Sequence, residues 1–145
     1  MQREVTVRYS ETHVWVEREN DKTVIIGISD RAQRSLGEIS FIDLPEEGDE
    51  FEQDDPIGTI EAIDGTIINL YAPVSGEVIE VNTSLDVSPD LINKSPEGDG
   101  WIIKMTLEVP KEFNGLMTPE EYDRYEGDIL DFEDDEFDDE EEEFY

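Results

Sequence analysis

The stretch "IGTIEAIDGTIINLYAP", residues 57–73, contains two alternating apolar runs on either side of the pair Asp64-Gly65. Asp-Gly between alternating β-forming residues is the strongest short-range hairpin signal, because a type I′ turn needs positive φ at both central residues. We therefore predict a hairpin closed by a tight type I′ turn, with Asp64 and Gly65 at its exposed tip. Because no lysine, serine, cysteine or histidine lies at or beside this tip, the sequence predicts a presented loop without a reactive group.

Short segments of alternating apolar and polar residues surround the hairpin, with turn residues between them. They are "EVTVRY", "HVWVERE", "KTVIIGIS", "ISFIDL", "GEVIEVN" and "WIIKMTLEV". Many short strands separated by glycine and proline are typical of a small barrel or sandwich. The segments "PIGTIEA" and "APVSGEVIEV" also match each other, which favours a flattened barrel with quasi-two-fold symmetry. The predicted fold class is all-β with accessory helices.

Two segments carry helix signals instead of strand signals. In "SDRAQRSLGEI", Ser29 or Asp30 is the predicted N-cap and Gly37 the predicted stop. In "TPEEYDRYEG", Thr118 precedes a proline and Glu121 lies at the capping-box spacing. We therefore predict short helices at these two places, with one further helical turn at residues 89–93.

Composition narrows the classes of function. The chain has 145 residues, a length typical of one domain. It contains 41 acidic residues and 10 lysines and arginines, so its net charge is −31. Such a charge repels nucleic acids and anionic membranes, so basic protein partners or high solubility are favoured.

The absence of cysteine excludes disulfides and thiol chemistry. With no apolar run long enough for a membrane span and no leader pattern, we expect a cytoplasmic protein.

The acidic residues are densest at the C-terminus. The stretch "DILDFEDDEFDDEEEEFY" is too self-repulsive to bury its few aromatic residues. We therefore predict a folded domain over residues 1–125 and a disordered acidic tail over residues 126–145.

No arrangement of residues indicates catalysis or metal binding. His13 is the only histidine, and its predicted place on a strand beside Trp15 favours a structural role. The carboxylates that a catalytic pair would need are common by chance in so acidic a chain; those considered are Glu61, Asp64, Glu77 and Glu80. Neither a calcium-loop spacing nor a phosphate-binding loop is present. We therefore predict no catalytic residue, no metal site and no enzyme activity.

Five segments in order carry a family resemblance. "YSETHVWV" contains His13 and Trp15 of the family's opening motif, with Val14 where glutamate is usual. "GISDRAQRSLGEISFIDLPEEGDEF", "APVSGEVIEVN", "SPDLINKSPEGDGWIIKM" and "GLMTPEEYDRY" follow in the family's order. The chain resembles the H protein of the glycine cleavage system from about Tyr9 to Tyr125. This resemblance implies a lipoyl/biotinyl-type flattened hybrid barrel.

The hairpin is where the chain departs from the family. The resemblance implies a hairpin motif Glu-Ser-Val-Lys-Ala, whose lysine bears the lipoate that carries an aminomethyl group between enzymes. Here "EAIDG" stands in its place, and the lysine position is Asp64 counted from Glu61, or Gly65 counted back from Tyr71. No lysine lies between Lys22 and Lys94. We therefore expect no lipoate, with Asp64 serving either as a turn residue or as a carboxylate that docks in a lipoate-accepting cleft.

Three functions remain open at this point. The favoured one is a non-catalytic, H-protein-like binding module that does not carry an aminomethyl group. Its partners would be glycine-cleavage or other lipoate-linked enzymes. One alternative is an atypical H protein that acts as an aminomethyl carrier through a lysine elsewhere, for which Lys94 is the candidate. The other is an interaction protein that engages basic partners through its acidic tail.

Overall fold

The computed structural model describes residues 6–125 of the chain, which form nine strands and five short helices. The strands are β1 (Val7–Tyr9), β2 (Val14–Arg18), β3 (Thr23–Ile28), β4 (Ile39–Asp43), β5 (Glu50–Phe51), β6 (Pro56–Ala62), β7 (Ile67–Tyr71), β8 (Gly76–Val81) and β9 (Ile103–Thr106). The helices are α1 (Asp30–Leu36), α2 (Ser84–Val87), α3 (Leu91–Lys94), α4 (Pro110–Asn114) and α5 (Pro119–Arg124). The predicted acidic tail, residues 126–145, lies outside the described residues.

The strands form two antiparallel sheets. One has six strands in the order β1-β2-β3-β9-β8-β5, and the other has three in the order β4-β6-β7. In the smaller sheet, β6 and β7 are joined by the hairpin, whereas the chain between β4 and β6 passes through β5 of the large sheet. No helix in the described part of the chain is long and apolar enough to cross a membrane.

One apolar core holds the two sheets together. The alternation of buried side chains along β3 and β6 is the cause, because successive residues of a strand point to opposite faces. Val24 and Ile26 of the large sheet and Ile60 of the small sheet are fully buried in the same cluster. Full burial of one such side chain is worth about 1.5–3 kcal/mol. The prediction of an all-β fold with short accessory helices is confirmed.

The β6–β7 hairpin is present, but its turn differs from the predicted type I′. The amide of Ala62 donates to the carbonyl of Thr66 (2.8 Å), and the amide of Gly65 donates to the carbonyl of Ala62 (2.9 Å). Gly65 has φ of 94°, whereas Asp64 does not have positive φ. The loop is therefore a three-residue type with glycine in the left-handed position, which needs only one residue with positive φ. The type I′ prediction is wrong.

The predicted helix caps are present. The Ser29 side chain accepts from the amide of Ala32, and α1 ends at Gly37. Thr118 and Glu121 form the reciprocal capping box at the start of α5. The sequence does not predict helices α2 and α4 or strand β5, because elements of two to five residues carry almost no periodic signal.

Candidate functional site

The tip of the β6–β7 hairpin is tied to the connection between α1 and β4. The amide of Ile63 donates to the carbonyl of Glu38 at 2.8 Å. Ile63 itself is 67% exposed. Together with the neighbouring helix α3, described below, these residues form an exposed surface. We call it the hairpin-tip surface and define it by Glu38, Ile63, Asp64, Asn93 and Lys94.

Asp64 lies at this tip and is fully exposed. Its carboxylate accepts a hydrogen bond from the amide of Thr66 at 3.0 Å. That bond is the main cause of a lowered pKa of Asp64, because it favours the charged form. The next residue, Gly65, supplies the positive φ that the loop requires. Asp64 and Gly65 therefore both contribute to the geometry of the turn.

Asn93 fixes α3 against the same end of the molecule. Its side-chain oxygen accepts from the amide of Ile39 at 2.9 Å. Its side-chain nitrogen donates to the carbonyl of Gly37 at 2.8 Å and to the side chain of Gln33 at 3.0 Å. Gly37 and Ile39 flank Glu38, whose carbonyl accepts from the hairpin tip. Helix α3 and the tip therefore lie at one end of the fold. No local pattern in the sequence indicates these bonds, because Asn93 and its partners are more than 50 residues apart.

Lys94 follows Asn93 and projects at the rim of an open groove between α1 and α3. Arg34 and Glu38 also line this groove. The Lys94 ammonium lies 3.2 Å from the carboxylate of Asp90, and the lysine side chain is 71% exposed. A surface ion pair of this kind is worth only about 0–1 kcal/mol. The amine is therefore accessible from solvent.

A second polar group lies in the interior, and we call it the tyrosine cluster: Tyr9, His13, Ser29 and Tyr122. The hydroxyl of Tyr122 lies 2.6 Å from Nδ1 of His13 and 2.7 Å from Oγ of Ser29. The rings of Tyr9 and Tyr122 stack with centroids 4.3 Å apart. These contacts join helix α5 to the start of β2 and to α1. The cluster was not predicted from the sequence, since Tyr122 is distant from its partners along the chain.

His13 differs from its predicted position. It precedes β2, in a turn with φ of 69°, and is completely buried. Its ring contacts Tyr122 edge-on instead of lying on a strand face beside Trp15. A buried imidazole bonded to a tyrosine hydroxyl, without access for a substrate, fits the structural role expected for it.

Burial also controls the ionisation of the tyrosines. Desolvation raises the pKa of Tyr122, against a smaller opposing effect of the Ser29 hydrogen bond. Burial likewise raises the pKa of Tyr9, assisted by Glu97, whose carboxylate accepts from the Tyr9 hydroxyl at 2.9 Å. Both phenols stay neutral at physiological pH and act as hydrogen-bonding groups instead of bases.

The remaining carboxylates do not form a site. Glu61 lies on β6 of the small sheet and Asp64 at the tip, whereas Glu77 and Glu80 lie on β8 of the large sheet. Within residues 6–125, no group of three or more metal-binding side chains is close enough to hold an ion.

Fold and surface together define a class of protein: a small two-sheet β protein that presents a hairpin and an adjacent exposed amine, with its buried polar groups used for packing. The family model described as Glycine cleavage H-protein matches residues 7–129. The chain belongs to this family.

Individual relatives agree. The chain is 46% identical over 117 residues to the glycine cleavage system H protein of Bacillus licheniformis, covering 81% of this chain and 91% of the relative. It is 47% identical over 116 residues to that of Halalkalibacterium halodurans, covering 80% and 89%. The crystal structure of a glycine cleavage system H protein from Mycobacterium marinum matches with a TM-score of 0.70 and 29% identity, covering 83% of this chain and 95% of that one.

These relatives overturn the favoured functional prediction. The interpretation as a binding module that is not an aminomethyl carrier was drawn from one missing side chain at the hairpin. Identity of 41–47% to proteins named as H proteins extends over about four fifths of the chain. The carrier interpretation, weighed above as an alternative, is the better supported.

Proposed function

We propose that this chain acts as an H protein of the glycine cleavage system, a carrier that receives an aminomethyl group from one enzyme and delivers it to another. The observation that carries the proposal is the 46–47% identity to H proteins over about nine tenths of their own length. The chain itself acts as carrier and not as enzyme in this proposal. Its partners are the other proteins of that system, and its location is the cytoplasm.

The geometry of the hairpin-tip surface supports a docking role. The tip is anchored by the bond from Ile63 to Glu38, and α3 is anchored by the three bonds of Asn93. Groups held on a rigid scaffold are presented in one orientation, which lowers the entropy lost on docking. The two carboxylates of the hairpin-tip surface, Glu38 and Asp64, favour a basic surface on the partner, because complementary charge speeds encounter.

The lipoyl group of the family supplies a dithiol end that carries the aminomethyl group. Its attachment is an amide between the carboxyl group of lipoate and a primary amine. Asp64 has a carboxylate engaged with the Thr66 amide, and Gly65 has no side chain, so neither residue of the tip fits this attachment. The absence of a lipoyl-accepting lysine from the hairpin is therefore part of the proposal. The intact mass of the chain used in the test below shows whether any lipoate is carried.

The test is reconstitution of glycine-dependent CO₂ release. The full chain, produced in cells that supply lipoate and a lipoate ligase, is combined with the other glycine cleavage proteins of a relative, and the Bacillus licheniformis H protein serves as positive control. We expect CO₂ release that rises with the concentration of this chain. No release above the reaction without H protein, in mixtures where the positive control is active, would contradict the carrier function.

A further inference from the structure

We infer that an open groove beside β4 binds an extended segment of a partner protein in which apolar side chains alternate with lysine or arginine. The inference goes beyond the carrier function and does not depend on it. The residues of this groove come from β4, the loop that follows it, the end of β8 and helix α2. We call it the edge groove and define it by Phe41, Asp43, Leu44, Glu47, Val81 and Asp86.

Strand β4 offers an unpaired edge to such a segment. It lies at one end of the three-stranded sheet, and β6 is its only strand partner. Within residues 6–125, the backbone of residues 40–45 makes no hydrogen bond apart from the pairing with β6. The free edge of a strand can pair with another extended chain. In that mode of binding the backbone bonds supply affinity, and alternate side chains supply specificity.

The edge groove also exposes apolar surface. Phe41 is 55% exposed, although the next residue of the strand, Ile42, is buried. Leu44 and Val81 pack against the core and are only partly covered. An exposed apolar patch with a polar rim is typical of a binding surface. Apolar side chains of an added strand would cover these residues.

The rim of the edge groove is acidic. Asp43, Glu47 and Asp86 line it, whereas no lysine or arginine in the described part of the chain does. Among residues 6–125, none of these three carboxylates is in an ion pair, whereas Asp30 and Asp90 each pair with a base one helical turn away. Unpaired carboxylates beside an apolar surface attract a basic partner, because complementary charge speeds encounter.

The same charge disfavours two other occupants. A second copy of the chain would bring another net charge of −31 to the groove. The chain's own C-terminal stretch, residues 126–145, contains no lysine or arginine and many acidic residues. Like charges repel in both cases. The occupant is therefore a basic segment of another protein.

Strand addition gives the segment a definite pattern. Successive residues of a strand point to opposite faces. One set of side chains would cover Leu44 and Val81, so we expect apolar residues there. The other set would lie beside Phe41 and Asp43. A lysine suits this second set, because its stem covers apolar surface while its ammonium reaches a carboxylate.

The test is titration of the ¹⁵N-labelled full chain with the capped peptide Lys-Val-Lys-Val-Lys-Val-Lys, followed by backbone amide NMR. We expect saturable shifts confined to residues 40–47 and 81–86. The peptide Lys-Ser-Lys-Ser-Lys-Ser-Lys keeps the charge without the apolar side chains, and Lys-Val-Lys-Pro-Lys-Val-Lys keeps the charge but lacks a backbone donor at its centre. Each should bind about tenfold more weakly, since each loses one of the two contributions to affinity.

Variants of the chain test the same surface from its own side. Phe41→Ala removes the exposed ring and should weaken binding about tenfold, as is typical of an aromatic anchor. Glu47→Gln combined with Asp86→Asn removes two charges from the rim. The matched control, Glu11→Gln combined with Asp123→Asn, removes two charges from exposed positions that do not line the groove. At one ionic strength, only the first pair should weaken binding.

Several results would overturn the inference. Equal weakening by the two charge pairs, or amide shifts spread over the whole acidic surface, would show a general attraction to net charge. Equal affinity for the valine and serine peptides, or the absence of saturable binding, would show that the edge groove is not the site. Sedimentation of the free chain tests the remaining occupant: a dimer that Phe41→Ala dissociates would make the groove a self-association surface.

Discussion

The hairpin-tip surface and the tyrosine cluster differ in what holds them. At the tip, Asp64 is fully exposed, and its carboxylate bonds to Thr66 of its own loop. In the cluster, the ring of Tyr122 is buried and its hydroxyl contacts two groups from elements more than 90 residues away. A tip residue can therefore change at small cost to the fold, whereas a residue of the tyrosine cluster contacts several elements at once.

The largest expected effect is that of Tyr122→Ala. Removing a buried aromatic ring leaves a cavity and costs about 3–5 kcal/mol of unfolding free energy. The ring is only 5% exposed and stacks on Tyr9, so little relaxation can fill the space. Urea denaturation followed by tryptophan fluorescence measures the loss. A cost below about 1 kcal/mol would show that α5 is not held by this ring.

Tyr122→Phe should have the next largest effect. It keeps the ring but leaves the side chains of His13 and Ser29 without the hydroxyl that they contact, which costs about 1–3 kcal/mol for buried polar groups. The same denaturation experiment applies. The control is Tyr125→Phe, whose hydroxyl donates to the carbonyl of Glu11 at the surface. Equal losses in the two variants would argue against a special role for the buried hydroxyl.

At the hairpin tip, Gly65→Ala tests whether the loop geometry is required. A side chain at φ of 94° is strained, and the left-handed conformation costs an alanine about 1–2 kcal/mol. Gly115→Ala is the control, because Gly115 has φ of −85° and space for a methyl group. Thermal unfolding of both variants should show a lower midpoint only for Gly65→Ala. Equal midpoints would mean that the loop adopts another turn.

The smallest effect is expected for Asp64→Asn: a small loss of stability above about pH 4 that disappears in acid. The bond from Thr66 lowers the pKa of Asp64 below its ordinary value of 3.8, so the folded state favours the carboxylate. The resulting stabilisation is present above about pH 4 and is lost as the pH falls through the lowered pKa. Denaturation between pH 6 and pH 2.5 should therefore show a shallower acid loss in Asp64→Asn than in the wild type.

The control for the acid experiment is Asp86→Asn, which removes the same charge from an exposed position on α2. If Asp64→Asn and Asp86→Asn behave alike, the hydrogen bond to Thr66 does not contribute to stability in solution.

The comparison also explains why the sequence misdirected the functional prediction. The hairpin motif is local, so a short stretch of sequence shows that its lysine is missing. The prediction of a non-carrier depends on that one position. Lys94 and Asn93 lie about 30 residues further along the chain, and only the bonds from Asn93 to residues 37 and 39 show that they adjoin the hairpin tip. The loss of the lysine at the tip changes one position in a surface to which the hairpin, the residues before β4 and helix α3 all contribute.

The sequence by itself determined the elements that depend on neighbours in the chain. Alternation along β3 and β6, the caps at Ser29 and Thr118, and the existence of the hairpin are all set by residues a few positions apart. Only the tertiary structure decided the contact between His13 and Tyr122 and the position of Lys94 beside the hairpin. The physical reason is that packing of distant segments depends on the shape and polarity of the whole core, which no short stretch of sequence contains.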